Sequence, residues 1–218
     1  MKKQLDLTLY LVLDPLLCGG IDGMVTTTKI AVENGVTAVQ LRSEQEYSGK
    51  NWYDAAQALK EVLSRTQVPL FINDHVDIAL AIGADGVHIG QSDLPVEVTR
   101  RLIGTDKWLG LSVSNQSQLN NVPWHLVDYL GIGPIYPTAT KKDAAAATGI
   151  AQLKELVKAK QCPAVAIGGI GVNNLTEVIQ TGIEGIAVVS AICGQADIAK
   201  ATSELIKKIR QAKEEMGV

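Results

Sequence analysis

Gly131-Ile132-Gly133-Pro134-Ile135-Tyr136-Pro137-Thr138-Ala139-Thr140-Lys141-Lys142-Asp143 begins as an apolar strand and ends in a loop of hydroxyl and ammonium groups. Two hydroxyl side chains flank one residue and a lysine follows, which supplies short-range donors and a mobile positive charge suited to a pyrophosphate. Taken alone, the stretch fits a solvated, Pro-directed turn equally well. Its weight comes from repetition, because the same change from buried strand to polar loop recurs along the chain. Apolar runs fall at residues 7–13, 37–41, 70–72, 86–89, 108–111, 127–132, 164–167 and 185–189. Amphipathic segments lie between them, with helical steps at Trp52, Ala55, Ala56, Leu59, Val62 and Leu63. Ile150, Leu153, Leu156 and Val157 form a second apolar stripe, and Ile198, Leu205, Ile209 and Ala212 a third. The runs are continuous rather than alternating, as expected of parallel strands covered by helices on one side and filled by a barrel core on the other. About eight such strands predict an α/β fold, a single-domain (β/α)8 TIM barrel over residues 1–218. An open doubly wound sheet is the alternative.

Composition narrows the partners. The 218 residues are 46% hydrophobic and 20% charged, enough to bury a large core. A net charge of -3 provides no general attraction for nucleic acid or an anionic membrane, so any anion site must be local. Asp6 and Asp14 bracket the first apolar run, which reads as a strand rather than a signal peptide. No run approaches the ~18 apolar residues of a membrane helix. Cys18, Cys162 and Cys193 lack close CxxC spacing, which favours reduced packing thiols and a cytoplasmic protein.

A barrel demands that functional groups sit where strands end. Arg42 follows the second run, Asn73 and Asp74 the third, Gln91 and Asp93 the fourth, and Ser112 the fifth. Residues 138–141 follow the sixth, Gly168-Gly169 the seventh and Ser190 the eighth. Asp74 and Asp93 suit one hard cation such as Mg2+. Each also stands where it would cap a helix, Asp74 ahead of a helix over 75–82 and Asp93 just before Leu94-Pro95. Glycine backbone after strand seven, with Ser190 after strand eight, suits a phosphate, although Gly-Gly also serves tight packing. His75, His88 and His125 form no nucleophile pattern with Ser or Cys, and His88 reads first as a satisfied core residue. No Walker lysine motif or GxGxxG fingerprint indicates a nucleotide cofactor.

With these motifs in order, the chain resembles the thiamine-phosphate synthase (thiamine-phosphate pyrophosphorylase) family over nearly all its length. The resemblance rests on Val39-Gln40-Leu41-Arg42, Ile72-Asn73-Asp74, Val87-His88-Ile89-Gly90-Gln91-Ser92-Asp93-Leu94, Gly110-Leu111-Ser112, residues 133–143 and Ala166-Ile167-Gly168-Gly169-Ile170. It implies joining 4-amino-2-methyl-5-hydroxymethylpyrimidine diphosphate to a thiazole phosphate, or to its carboxylated form with CO2 release. The products are thiamine monophosphate and pyrophosphate. It also implies Mg2+ on Asp74 and Asp93, and pyrimidine diphosphate on Gln40, Arg42, Asn73, Ser112 and Lys141. Thiazole phosphate would fall on Thr138, Thr140, Gly169, Val189 and Ser190. Lys141, Arg42 and Ser112 would be the catalytic set, and a homo-oligomer is left open.

One position departs from the family pattern. Where Gln-x-Arg-x-Lys is usual, the chain reads Gln40-Leu41-Arg42-Ser43-Glu44. Pointing inward, Glu44 would repel pyrophosphate; pointing outward, it would leave Lys50 as a replacement charge. Two other functions share the scaffold, a thiazole tautomerase or regulator-like barrel and a non-catalytic ligand-binding barrel. The tautomerase carries a catalytic histidine where this chain has Gly133-Pro134, and alters the Thr-x-Thr-Lys pattern. Both differences favour the synthase.

Overall fold

The computed structural model describes residues 4–43, 47–138 and 147–217. Eight parallel strands close into a barrel in sequence order: β1 (Leu9–Leu13), β2 (Ala38–Leu41), β3 (Leu70–Asn73), β4 (Gly86–Ile89), β5 (Trp108–Val113), β6 (Tyr129–Ile132), β7 (Ala164–Ile167) and β8 (Gly185–Val188). The last strand pairs back to the first, Leu9 opposite Ile186. Among the described residues the helices are α1 (Pro15–Cys18), α2 (Ile21–Glu33), α3 (Gly49–Leu63), α4 (Val76–Ala81), α5 (Val96–Ile103), α6 (Gln116–Asn120), α7 (Gly149–Ala159), α8 (Leu175–Ile179) and α9 (Ile198–Glu215). The closed barrel is the expected fold, and the open sheet is excluded.

Strand geometry sorts the apolar runs into two cores, because successive side chains point to opposite faces. Leu9, Leu11 and Leu13 of β1 join Leu59 of α3, Leu153 of α7 and Leu205 of α9 in the layer between strands and helices. Tyr10 and Val12 point inward and meet Ala38, Phe71, Tyr129, Val165 and Ala187 inside the barrel. Aromatic rings fill that interior, with centroids 5.5 Å apart for Tyr10 and Phe71 and 5.3 Å for Phe71 and Tyr129. Burying one such ring stabilises the fold by about 1.5–3 kcal/mol. Leu5 and Leu7 pack into this inner core from below. The first run therefore contributes a strand that starts at Leu9 rather than residue 7, its first residues plugging the barrel floor.

A repeated device ties the floor together. Asp85, Asp128 and Glu184 each immediately precede an even-numbered strand and accept a backbone N–H from the strand before it: Leu70 N (2.9 Å), Leu109 N (2.7 Å) and Ala164 N (2.9 Å). Each carboxylate also pairs with a cation from the helix before that odd-numbered strand or from its end, Lys60 of α3 (3.0 Å), Arg100 of α5 (2.6 Å) and Lys160 after α7 (2.6 Å). Thr37, just before β2, takes the corresponding place with an uncharged oxygen, accepting Leu9 N at 3.1 Å. Each of these side chains partners a backbone N–H at the start of an odd-numbered strand, where an unpaired buried donor would be costly.

Three expectations about local structure change. Ser112 lies inside β5 rather than after it, since the strand continues to Val113 and Ser112 pairs with Gly131. The N-cap position of α4 is His75, which makes no side-chain cap bond, so the capping place falls on neither Asn73 nor Asp74. The N-cap of α5 is Pro95. Asp93 closes its own tight turn instead, its Oδ2 accepting Gly90 N at 2.6 Å.

Candidate active site

The strand C-termini open into a cavity of about 1000 Å³. Gln40 and Arg42 of the β2 end line it, as do Asn73 and Asp74 after β3 and Asp93 after β4. Ser112 from β5, Thr138 after β6, Gly169 after β7, and Val189 and Ser190 after β8 complete the ring. Thr140, Lys141 and Glu44 lie outside the described residues. Every expected site residue that is described thus faces one space, although they come from seven strand ends scattered over the sequence.

Local geometry holds these groups. Asp74 has φ 60°, the one positive value at a non-glycine among the described residues. Asp tolerates this conformation better than most residues, at a cost of order 1 kcal/mol. Asn73 Nδ2 donates to Asp74 Oδ2 at 2.6 Å, and Asp74 N donates to the His88 carbonyl at 2.9 Å, so the strained residue is tied on both sides. Gln91 Nε2 donates to the Ser112 carbonyl at 2.7 Å and ties the β4 loop to β5.

The glycine turn after β7 serves close packing as well as the cavity. Ile135 N donates to Ile167 O (2.9 Å) and Tyr136 N to Gly168 O (3.0 Å), so the loop after β6 lies directly against this turn. A Cβ at Gly169 would come 2.7 Å from the Tyr136 Cβ, and Gly169 has φ 65°. Glycine alone meets both demands at once. The loop is further tied to α8 by the hydrogen bond from Tyr136 Oη to Glu177.

The sequence reading missed the polar string across the cavity floor. Gln40 Nε2 donates to Tyr10 Oη at 3.0 Å, and Tyr10 Oη lies 2.9 Å from Tyr129 Oη. Tyr129 Oη lies 3.0 Å from His88 Nδ1, and His88 Nε2 lies 2.9 Å from Ser112 Oγ. His88 is the satisfied interior residue expected, but it bonds one candidate substrate ligand, Ser112, directly and reaches a second, Gln40, through Tyr129 and Tyr10. The available signal was a tyrosine within each of two mainly apolar runs, at Tyr10 and Tyr129. Burial raises both phenols well above the ordinary tyrosine value, so they stay protonated.

A cation fits part of the site. Asp74 and Asp93 provide hard oxygen donors on adjacent strand ends of one cavity, the donor type Mg2+ takes when waters and phosphate oxygens complete its shell. No group of three or more His, Cys, Asp or Glu side chains that could hold a metal ion occurs among the described residues. No helix among the described residues is long and apolar enough to cross a membrane.

Comparison with known proteins agrees with the geometry. Residues 9–192 match the thiamine monophosphate synthase family. A thiamine-phosphate synthase from Laribacter hongkongensis is 51% identical over 205 residues, covering 94% of this chain and 96% of the relative. One from Desulfitobacterium hafniense is 48% identical over 201 residues, covering 92% and 96%. Among solved structures, thiamine phosphate pyrophosphorylase from Pyrococcus furiosus superposes with a TM-score of 0.84 at 34% identity, over 95% of this chain and 98% of that one. With nearly the whole barrel matched and the strand-end residues gathered around one cavity, the chain belongs to the thiamine monophosphate synthase family, whose named members here are transferases.

Proposed function

We propose that the chain condenses 4-amino-2-methyl-5-hydroxymethylpyrimidine diphosphate with 4-methyl-5-(2-phosphoethyl)thiazole, or its 2-carboxy form, to give thiamine monophosphate and pyrophosphate. The observation that carries this reading is the single cavity on which Arg42, Asn73, Asp74, Asp93, Ser112 and Ser190 converge from separate strand ends. Cationic, carboxylate and hydroxyl groups around one space suit two phosphorylated substrates. Ser112 Oγ does lie 2.9 Å from His88 Nε2, a pairing the sequence did not show, but the other ring nitrogen meets the Tyr129 phenol rather than the carboxylate of a hydrolase triad.

The bond between the pyrimidine methylene carbon and its diphosphate oxygen breaks, and the electron pair leaves with pyrophosphate. Electron donation from the aminopyrimidine ring stabilises the cation left behind. The thiazole nitrogen then donates its lone pair to form the new C–N bond; with the carboxylated thiazole, CO2 leaves and a proton takes its place. Asp74 and Asp93 would hold Mg2+, which when bound supplies positive charge beside the diphosphate. Arg42 and Lys141 bind the same anion and offset charge as it accumulates on the leaving group. Thr138, Thr140, Gly169 and Ser190 anchor the thiazole phosphate, and Val189 packs beside it. Fixing both substrates in this way converts their encounter into a step within one complex.

Incubating purified protein with both substrates and Mg2+ tests the proposal: thiamine phosphate and pyrophosphate in equal amounts are expected. Isomerisation of the thiazole alone, or binding of both substrates without conversion, would overturn it. A Glu44→Lys variant in the same assay is expected to lower KM for the diphosphate several-fold, about 1 kcal/mol of relieved repulsion. An unchanged KM would show that Glu44 does not act on the pyrophosphate.

A further inference from the structure

Gln40, Tyr10, Tyr129, His88 and Ser112 come from five different strands, yet their side chains form one unbroken string of hydrogen bonds. A phenol or an uncharged imidazole has one proton to give in such a string, so a donor at one end decides every bond after it. Gln40 donates from Nε2 to Tyr10 Oη. Tyr10 therefore gives its own proton to Tyr129, and Tyr129 gives its proton to His88 Nδ1. His88 must then carry its proton on Nε2 and donate to Ser112 Oγ.

The consequence appears at both ends, which line the cavity. Gln40 gives one amide hydrogen inward, which turns Nε2 toward Tyr10 and leaves the carbonyl oxygen, beside one remaining amide hydrogen, for a ligand. Ser112 accepts from His88 and keeps its own proton to donate. Were the string reversed, Gln40 would turn its carbonyl oxygen inward and present donors alone, and Ser112 would present an acceptor.

Neighbouring strands are shaped around this string. A Cβ at Gly110 of β5 would come 2.3 Å from Tyr129 Cζ and 2.4 Å from His88 Nδ1. One at Gly131 of β6 would come 3.0 Å from His88 Cε1. Two glycines thus leave the room in which the imidazole and the phenol meet. Buried polar groups of this kind are costly unless fully partnered, and here both ring nitrogens of His88 have partners.

We propose that His88 and Tyr129, with Tyr10, are positioning residues that fix the hydrogen-bond polarity of the site, setting Gln40 as acceptor and Ser112 as donor toward a planar heteroaromatic amine. The identity of that ligand rests on the proposed synthase reading; the polarity does not. A ring bearing an exocyclic amino group beside a ring nitrogen offers a donor and an acceptor on one edge, the complement of this pair.

Nitrogen-15 histidine spectra of the substrate-free protein near neutral pH test the polarity directly. The chain has three histidines, His75, His88 and His125, and the His88 signals are identified by their loss in His88→Gln. His88 is expected to be uncharged with its proton on Nε2; a proton on Nδ1 overturns the proposal. In kinetics, Tyr129→Phe is expected to lower kcat/KM for the pyrimidine diphosphate about tenfold, the value of roughly one hydrogen bond, with KM for the thiazole phosphate unchanged. His88→Gln, whose amide nitrogen still offers Ser112 a donor, is expected to retain more activity than His88→Leu. Equal losses in those two variants, or equal changes in both substrates' KM, would make the string a packing feature only and overturn the proposal. Failure of the wild type to form thiamine phosphate would remove the synthase reading while leaving the spectral result to judge the polarity.

Discussion

Asp93 separates structure from chemistry within one side chain, since one carboxylate oxygen accepts the Gly90 amide while the group lines the cavity. Asp93→Asn keeps an oxygen for that amide and removes only the charge. We expect kcat/KM to fall about 100-fold, as when one group that stabilises developing charge is lost. Unfolding free energy, measured by denaturant titration, should change by less than about 0.5 kcal/mol. A stability loss as large as the activity loss would assign Asp93 to the turn alone. The thiols give a second residue-scale prediction. A hydrogen bond with Cys193 lowers the Cys18 pKa and raises that of Cys193, while burial pushes Cys162 up to about 11. A lowered value means more thiolate at a given pH, so mildly alkaline iodoacetamide should label Cys18 first, read by peptide mass spectrometry. Faster labelling of Cys162 would contradict that order. At this scale the sequence was informative about Asp74, Asp93 and Arg42, because chemical type and position after a strand are both written in it, whereas Ser112 lies inside β5. It said nothing about who their partners are: the Gly90 and Cys193 contacts depend on turns whose closure no spacing rule supplies.

Between strands and helices, the acids at Asp85, Asp128 and Glu184 show how one device is reused around the barrel. Arg100 of α5 is its most connected cation, bonding Leu126 O at 2.9 and 2.8 Å, Gly104 O and Lys107 O at 2.8 Å, and Asp128 at 2.6 Å. Arg100→Met removes the guanidinium and leaves Asp128 without its cation and several carbonyls without a donor. The expected loss is about 3 kcal/mol, the scale for breaking a largely buried pair from one side. Thermal unfolding should fall by roughly 6–12 °C while turnover of the folded enzyme at room temperature is retained. A shift below about 2 °C would show that the staple contributes little. Strand positions were readable because continuous apolar runs reflect burial on both faces, and two of them, Gly86–Ile89 and Ala164–Ile167, match to the residue. Their ends were less readable where pairing, rather than composition, decides them. Leu7 is as apolar as Leu9, but the ladder to β8 begins at Leu9.

Across the whole molecule, polarity changes along the barrel axis. Leu5, Leu7, Phe71 and Trp108 belong to the apolar inner core, while Gln40, His88 and Ser112 lie toward the cavity that the strand ends enclose. Stability and activity are thereby placed at opposite ends of one domain-sized core, and a ligand at the open end should stabilise the whole. Pyrophosphate with Mg2+ at about 100 times its Kd is expected to add about 2.7 kcal/mol and raise Tm by roughly 5–11 °C. Chelation of the metal should abolish that rise, and Asp93→Asn should reduce it. An undiminished rise in the variant would place the anion elsewhere. The sequence by itself determined the alternation of strands and helices, the barrel they form and the polar residues at strand ends, because burial leaves its record in hydrophobic period and chemistry in residue type. Only the tertiary structure decided that Tyr10, Gln40, His88, Ser112 and Tyr129 make one string, and that acids before three strands share a task. Those relations join residues up to 119 positions apart, and a parallel barrel brings them together only by closing β8 onto β1.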